Sequence, residues 1–303
     1  MFPKTVIIIS GPTASGKTAL ALEVARYFNT SIISADSRQC FRELNIGVAK
    51  PGPEQLSEVR HFFVNSHSVL EDMNASIFES LALSWCEEIF SNADTVIMCG
   101  GTGLYIKAFR EGLDTIPPVD VGIRNKITGQ YHDHGIIWLQ KSIQDADPLF
   151  YSYGEMSNPQ RMMRALEVIQ STGKSIISYR NQPKKERNFR MLEFSIRLPR
   201  KELYHRIDHR VDQMMSAGLL EEVRSLLPFR HLNALQTVGY TELFQYLQNR
   251  LSLEEAVTLI KQNTRNYAKR QITWQNKNKH VIWLNEENDY KKNIIDALDA
   301  VKT

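Results

Sequence analysis

Apolar positions in the first hundred residues gather into short runs separated by stretches with helical spacing. Val6-Ile7-Ile8-Ile9 anchors a run over 5–10; residues 31–35 form a second and 95–99 a third. Each is bounded by glycine or a turn former and is apolar on both faces, as strands of a covered parallel sheet are. Between them, 17–28 and 75–91 carry apolar residues at the three- and four-residue intervals of an amphipathic helix. This alternation predicts an α/β fold, a parallel sheet flanked by helices.

Pro117-Pro118 interrupts that regime. Residues 119–180 read as helical, with one clear start at Asn158-Pro159, a capping residue followed by proline at the first helical position. Met162, Met163, Leu166, Val168 and Ile169 follow as its apolar face. Residues 191–198 predict a strand returning to the sheet. Helices are expected over 201–227, 238–249 and 253–275, then a short strand at 281–284 and a terminal helix. The expected organisation is an α/β core of residues 1–115 and 190–303, with a small helical domain inserted at 116–189.

Composition narrows the class without changing the fold. Across 303 residues, 42% hydrophobic and 23% charged content is ordinary for a soluble globular chain. No run is long enough to span a bilayer, and the first apolar run lacks a small-residue cleavage site, so neither membrane nor leader is expected. Three cysteines without paired spacing suggest no disulfide framework and no zinc site, and a reduced cytoplasmic setting follows. A net charge of +3 says little about partners. Its distribution says more: 181–190 holds Lys184, Lys185, Arg187 and Arg190 against Glu186, either a solvated loop or a surface for RNA.

The strongest local chemistry is Gly11-Pro12-Thr13-Ala14-Ser15-Gly16-Lys17-Thr18, which fits G-x-x-x-x-G-K-[ST] between a predicted strand and a predicted helix. In such a loop backbone N–H groups turn inward around phosphate oxygens and the helix start adds partial positive charge. Lys17 reaches the outer phosphates, and the Thr18 hydroxyl is placed to bind magnesium. The core is therefore expected to be P-loop-type. Nucleotide-binding, and in particular ATP-binding, proteins with this cradle usually end a neighbouring strand in a metal-holding aspartate. Here that strand ends in Cys99-Gly100-Gly101. A triphosphate hydrolase would lack half its magnesium support, so the bound phosphates read better as a leaving group.

Asp36 stands at the carboxyl end of the second apolar run, where ligands of open α/β sheets bind. It could hold a metal, act as a base or cap a turn. Thr102, after the two glycines, offers a hydroxyl at a helix start or merely an N-cap. Farther along, Gln160, Arg161 and Arg164 open a helix, a setting suited to nucleic-acid phosphates. Lys261, Arg265 and Lys269 repeat every four residues beside Tyr267 and Trp274, an RNA-facing ridge or a solvated face over core aromatics. Asp208 and Asp212 are expected to pair with Arg206 and Arg210 on their own helix.

These segments together resemble the tRNA dimethylallyltransferase family, also called tRNA isopentenyltransferases. GPTASGKT at 11–18, ADSRQ at 35–39, IG-x-AKP at 46–51, GGTGLY at 100–105, NPQR at 158–161, RALEV at 164–168 and KRQITW at 269–274 stand in the family's order and spacing, over most of the chain. The sequence departs from the pattern at Asn45 and Val48, at Cys40-Phe41, at Ser157-Asn158 and at Gln275-Asn276.

The resemblance implies transfer of a dimethylallyl group from its diphosphate to N6 of the adenosine immediately 3′ of the tRNA anticodon. It implies that Asp36 is the base, that Ser37, Arg38 and Gln39 contact the adenine, and that Thr13, Lys17, Thr18, Arg210 and Mg2+ hold the diphosphate. It also implies tRNA contacts at Thr102, Arg124, Gln160, Arg161, Met162, Met163 and Arg164. The partners expected are tRNA and dimethylallyl diphosphate, with the protein a monomer. Two rivals come from other classes: a small-molecule kinase using the cradle for ATP, and a non-catalytic RNA-binding protein switched by a nucleotide.

Overall fold

A computed structural model describes residues 4–180, 182–285 and 289–300. The chain forms two compact units, one of residues up to Glu111 and from Glu186 onward, the other Gly112–Lys185. The sequence reading put these boundaries about four residues later, at 116 and 189.

The first unit is built on a six-stranded sheet: β1 (Thr5–Ser10), β2 (Ile32–Ser34), β3 (His61–Phe62), β4 (Thr95–Gly100), β5 (Arg190–Arg197) and β6 (Val281–Asn285). Their order is β3-β2-β4-β1-β5-β6, and every pairing is parallel. All carboxyl ends therefore open along one edge. The two chain pieces separated by the insertion meet at the centre, where Thr5 pairs with Thr95 on one side and Arg190 on the other. Val6, Ile7, Ile8 and Ile9 are wholly buried, which explains their unbroken apolar run. Burying each such side chain contributes about 1.5–3 kcal/mol.

Helices α1 (Lys17–Tyr27), α2 (Pro53–Glu58), α3 (Ala75–Phe90) and α4 (Gly103–Glu111) follow the first strands. Leu20 and Val24 of α1 pack in one core with Ile7, Ile9 and Ile97. Asn74 caps α3 by accepting the Ser76 and Ile77 N–H groups. α2 and β3 went unread in the sequence because both are too short to show a period.

The second unit holds α5 (Val121–Ala146), α6 (Pro148–Tyr153) and α7 (Pro159–Thr172). α5 is interrupted at Gly135, whose φ of 71° and ψ of −164° are not helical. Asn158 caps α7 by accepting the Arg161 N–H, the start the sequence signals. The core of this unit joins Ile127, Leu139, Ile143 and Phe150 to Met162, Met163 and Leu166.

Back in the first unit lie α8 (Arg200–Ser216), α9 (Leu219–Ser225), α10 (Tyr240–Leu247), α11 (Leu253–Asn276) and α12 (Tyr290–Ala300). The helix expected over 201–227 is two. Gly218, at φ 98°, turns the chain between α8 and α9 in a conformation that side-chain-bearing residues avoid. Among the described residues no helix is long and apolar enough to cross a membrane.

Candidate active site

The loop between β1 and α1 is shaped by its own backbone. Gly11 sits at φ 154° and Gly16, the N-cap of α1, at φ 92°, while Ala14 accepts a positive φ of 63°. The Ser15 N–H donates to the Pro12 carbonyl at 3.3 Å and the Thr13 N–H to Gln271 Oε1 at 2.8 Å. Lys17 Nζ donates to the Pro12 carbonyl at 3.1 Å, curled back over the loop. Burial pulls the Lys17 pKa down, and Arg210 nearby adds to the same direction. A polyphosphate would oppose both effects by adding to the counter-charge that nearby Asp36 supplies. Arg210 of α8 donates from Nη1 to the Thr13 hydroxyl at 3.4 Å, so it stands over the same loop.

At the end of β2, the Asp36 carboxylate accepts the Arg38 N–H at 2.9 Å. The turn-cap reading is thus satisfied by one oxygen, Oδ1, with the carboxylate still lining the crevice. Thr102 Oγ1 accepts the Ser37 N–H at 3.0 Å, and the Thr102 N–H donates to the Ala35 carbonyl at 3.1 Å. The Thr102 hydroxyl also donates to Ser37 Oγ at 3.4 Å. Gln39 is fixed by Ser34 Oγ at 3.0 Å and by the Val48 and Ala49 carbonyls.

The glycines after β4 are demanded by close approach. A Cβ at Gly100 would stand 2.2 Å from the Ala35 carbonyl oxygen, and one at Gly103 would meet the Trp274 indole at 2.3 Å. Cys99 occupies the position where an aspartate was looked for. Its Sγ lies 3.6 Å from the Lys17 carbonyl, and burial raises its thiol to about 11, so on its own it stays neutral.

These pieces open onto a cavity of about 500 Å³. It is lined by Thr13, Lys17, Thr18, Asp36 and Arg210, by the apolar Val211, Met214, Leu219, Val238 and Ile260, and by the polar Thr237, Glu242, Asn263 and Thr264. Ser37, Arg38 and Gln39 line it as well, so the structure brings the predicted cradle, carboxylate and adenine-side residues to one place. Thr102 reaches this place through Ser37.

A second loop, 45–50, forms part of the rim. Glu222 of α9 accepts the Asn45, Ile46 and Gly47 N–H groups at 3.1, 2.7 and 3.1 Å, and the Tyr240 hydroxyl at 2.5 Å. A Cβ on Gly47 would lie 2.5 Å from the Tyr240 ring. Lys50 Nζ donates to the Phe41 carbonyl and Asn65 Oδ1, both at 2.5 Å, and partial burial pulls its pKa down to about 8. Sequence reasoning quoted the IG-x-AKP motif here without a role for it. Its glycine and lysine are the structural signals.

Several cations are placed differently from expectation. Lys261 pairs with Asp212 at 2.6 Å and Arg265 with Asp208 at 2.5 Å, so two members of the α11 ridge are turned onto α8. Asp208 and Asp212 thus pair across helices, while Arg206 pairs with Glu202 at 2.7 Å. Arg187 is buried against Glu79 at 2.9 Å and donates to the Ala108 and Phe109 carbonyls. That member of the basic stretch is a core group, neither solvated nor turned to RNA.

Within the second unit, Gln160, Arg161 and Arg124 are exposed and Arg164 half-buried. Arg161 pairs with Glu155, and Arg124 and Arg164 share the buried Glu167 at 3.5 and 3.3 Å. Met162 and Met163 are 0% and 7% exposed, so their side chains belong to the core of this unit. Any RNA contact from this turn falls to its polar neighbours.

For magnesium, the cavity offers the Thr18 hydroxyl and the Asp36 carboxylate. Among the described residues no cluster of three acidic, histidine or cysteine side chains exists. That donor set fits a hard cation carried mainly by substrate phosphates and water, as magnesium is.

The IPP transferase family profile matches residues 39–278. The chain is 44% identical to a tRNA dimethylallyltransferase of Cytophaga hutchinsonii over 93% of its length and 92% of the relative's. It is 44% identical to one of Christiangramia forsetii over 97% of both. The crystal structure of a full-length tRNA isopentenylpyrophosphate transferase from Bacillus halodurans superposes with a TM-score of 0.71 at 30% identity, covering 98% of this chain and 95% of that one.

Proposed function

This chain belongs to the IPP transferase family and is a prenyl-transferring enzyme acting on tRNA; we propose that it moves a dimethylallyl group to N6 of the adenosine immediately 3′ of the anticodon, with the parts placed as follows. The donor diphosphate lies in the 11–18 loop against Lys17, Thr18 and Arg210. Its five-carbon fragment points toward Val211, Leu219 and Ile260, and the extruded adenine faces Asp36 to Gln39. One observation carries the reading: a single cavity is lined by residues of the phosphate loop, by the Asp36 carboxylate and by several apolar side chains.

In the transfer, the bond between N6 and the allylic carbon forms as the bond from that carbon to the diphosphate oxygen breaks. Positive charge develops on the allylic carbon and negative charge on the departing diphosphate. Lys17, Arg210 and fixed loop dipoles stabilise that growing anion with little reorganisation. Bound magnesium, held by Thr18 and the diphosphate, would add Lewis-acid neutralisation of the leaving group. The N6 proton, acidic once the new bond forms, passes to Asp36. The anticodon loop makes extrusion of the base cheaper than a duplex would. A tRNA substrate supports a cytoplasmic location.

The test is mass analysis of tRNA nucleosides after incubation with dimethylallyl diphosphate, beside an ATP arm. An adenosine gaining the five-carbon group is expected. Hydrolysis or transfer of the ATP γ-phosphate with unmodified tRNA would favour the kinase and end this reading.

A further inference from the structure

Gln271 on α11 uses both ends of its side-chain amide to join two parts of the site. Its Oε1 accepts the Thr13 N–H at 2.8 Å, and its Nε2 donates to the Gly101 carbonyl at 3.0 Å. Gln271 is 7% exposed, and a Cβ at Gly101 would stand 2.2 Å from Nε2, so a larger residue there would push the amide out of this position. Thr13 belongs to the phosphate loop. Gly101 precedes Thr102, whose hydroxyl holds the Ser37 N–H and with it the turn that carries Asp36. α11 itself is fixed to α8 by the Lys261 and Arg265 ion pairs and by Ala268 packed with Leu203 and Ile207.

We propose that Gln271 is a positioning residue: by tying Thr13 to Gly101 it sets the separation between the diphosphate cradle and the turn bearing Asp36, and so governs the rate of transfer more than the binding of either substrate. The inference rests on the functional reading of those two halves given above. It has an internal comparison. Gln275 lies one turn farther along α11, is 4% exposed, and its Oε1 has no hydrogen-bond partner. It fills space without joining anything through that oxygen.

The experiment compares Gln271→Met and Gln275→Met, which keep volume and remove the amide. For Gln271→Met, kcat should fall about 10- to 100-fold, with KM for tRNA and for dimethylallyl diphosphate within about 3-fold of the parent. Gln275→Met should keep kcat. Hydrogen exchange should quicken for the peptide spanning 11–18 in the first variant only, because the Thr13 amide loses its acceptor. A kcat for Gln271→Met within about 3-fold of the parent, a change confined to KM, or equal losses in both variants would overturn the proposal. If the parent leaves tRNA unmodified, the functional reading fails instead, and the exchange measurement still decides whether the bridge exists. Should Gln271→Met not fold, Gln271→Glu takes its place. It keeps the acceptor toward Thr13, loses the donor toward Gly101, and is expected to lose about 10-fold in kcat.

Discussion

The crevice of the first unit and the exposed turn of α7 in the second both gather charge, but they hold it differently. Lys17 and Arg210 are partly sunk beside a phosphate loop, hydrogen-bonded to a carbonyl and a threonine hydroxyl, with the Asp36 carboxylate as a nearby anion. Arg161, Arg164 and Arg124 are paired with Glu155 or Glu167 at the surface of their own unit. The first arrangement sets two half-buried cations against one nearby carboxylate, Asp36, and is completed by a further anion. The second sets three arginines against two carboxylates, so a phosphate arriving there competes with ion pairs that already exist and adds a small net gain. Cations in the crevice should therefore act on the chemical step, and those of α7 on affinity and its dependence on salt.

The comparison can be broken at several points. Asp36→Asn removes the proton acceptor while keeping its size, and should reduce the transfer rate about 10²- to 10⁴-fold, with tRNA affinity nearly intact in a filter-binding titration. Affinity that collapses with the rate would take Asp36 out of that role. Lys17→Ala should cost about 10²- to 10³-fold in kcat/KM for dimethylallyl diphosphate; unchanged kinetics would mean that the loop holds something else. Arg187→Met removes a buried cation from Glu79 and from the Ala108 and Phe109 carbonyls, and should lower unfolding stability by about 3 kcal/mol in a denaturant titration. A stable variant whose only defect is salt-sensitive tRNA binding would return residue 187 to the RNA surface. The smallest effect is expected from Arg161→Ala, a loss of less than about 10-fold in tRNA affinity, with the slope of log affinity against log salt reduced by about 1.

How far the sequence revealed this depends on the separation of partners along the chain. The phosphate loop was legible because its strand, glycines, lysine and helix are contiguous, and Asp36 because it ends an apolar run two residues from its own turn amide. The capped start at Asn158 was legible for the same reason. Gln271 stood inside a quoted motif, yet its partners lie 258 and 170 residues away, and no local pattern announces a bridge of that kind. Asp208 and Asp212 had arginines within a turn, so helix-local pairing was the economical reading, but α11 offered closer cations. Met162 and Met163 shared a motif with basic neighbours while their spacing already marked them as core. Around Gly218 the apolar spacing continues through the break, so only the glycine itself hinted at two helices.

The Glu222 carboxylate has a mechanical meaning. Three successive amides of the rim and one phenol converge on its two oxygens. A tie of that kind cannot be loosened one strand at a time, since shifting α9 strips several donors at once. Residues 45–47 and α9 are therefore obliged to travel together, and any widening of the mouth to admit a folded RNA must swing them as one piece.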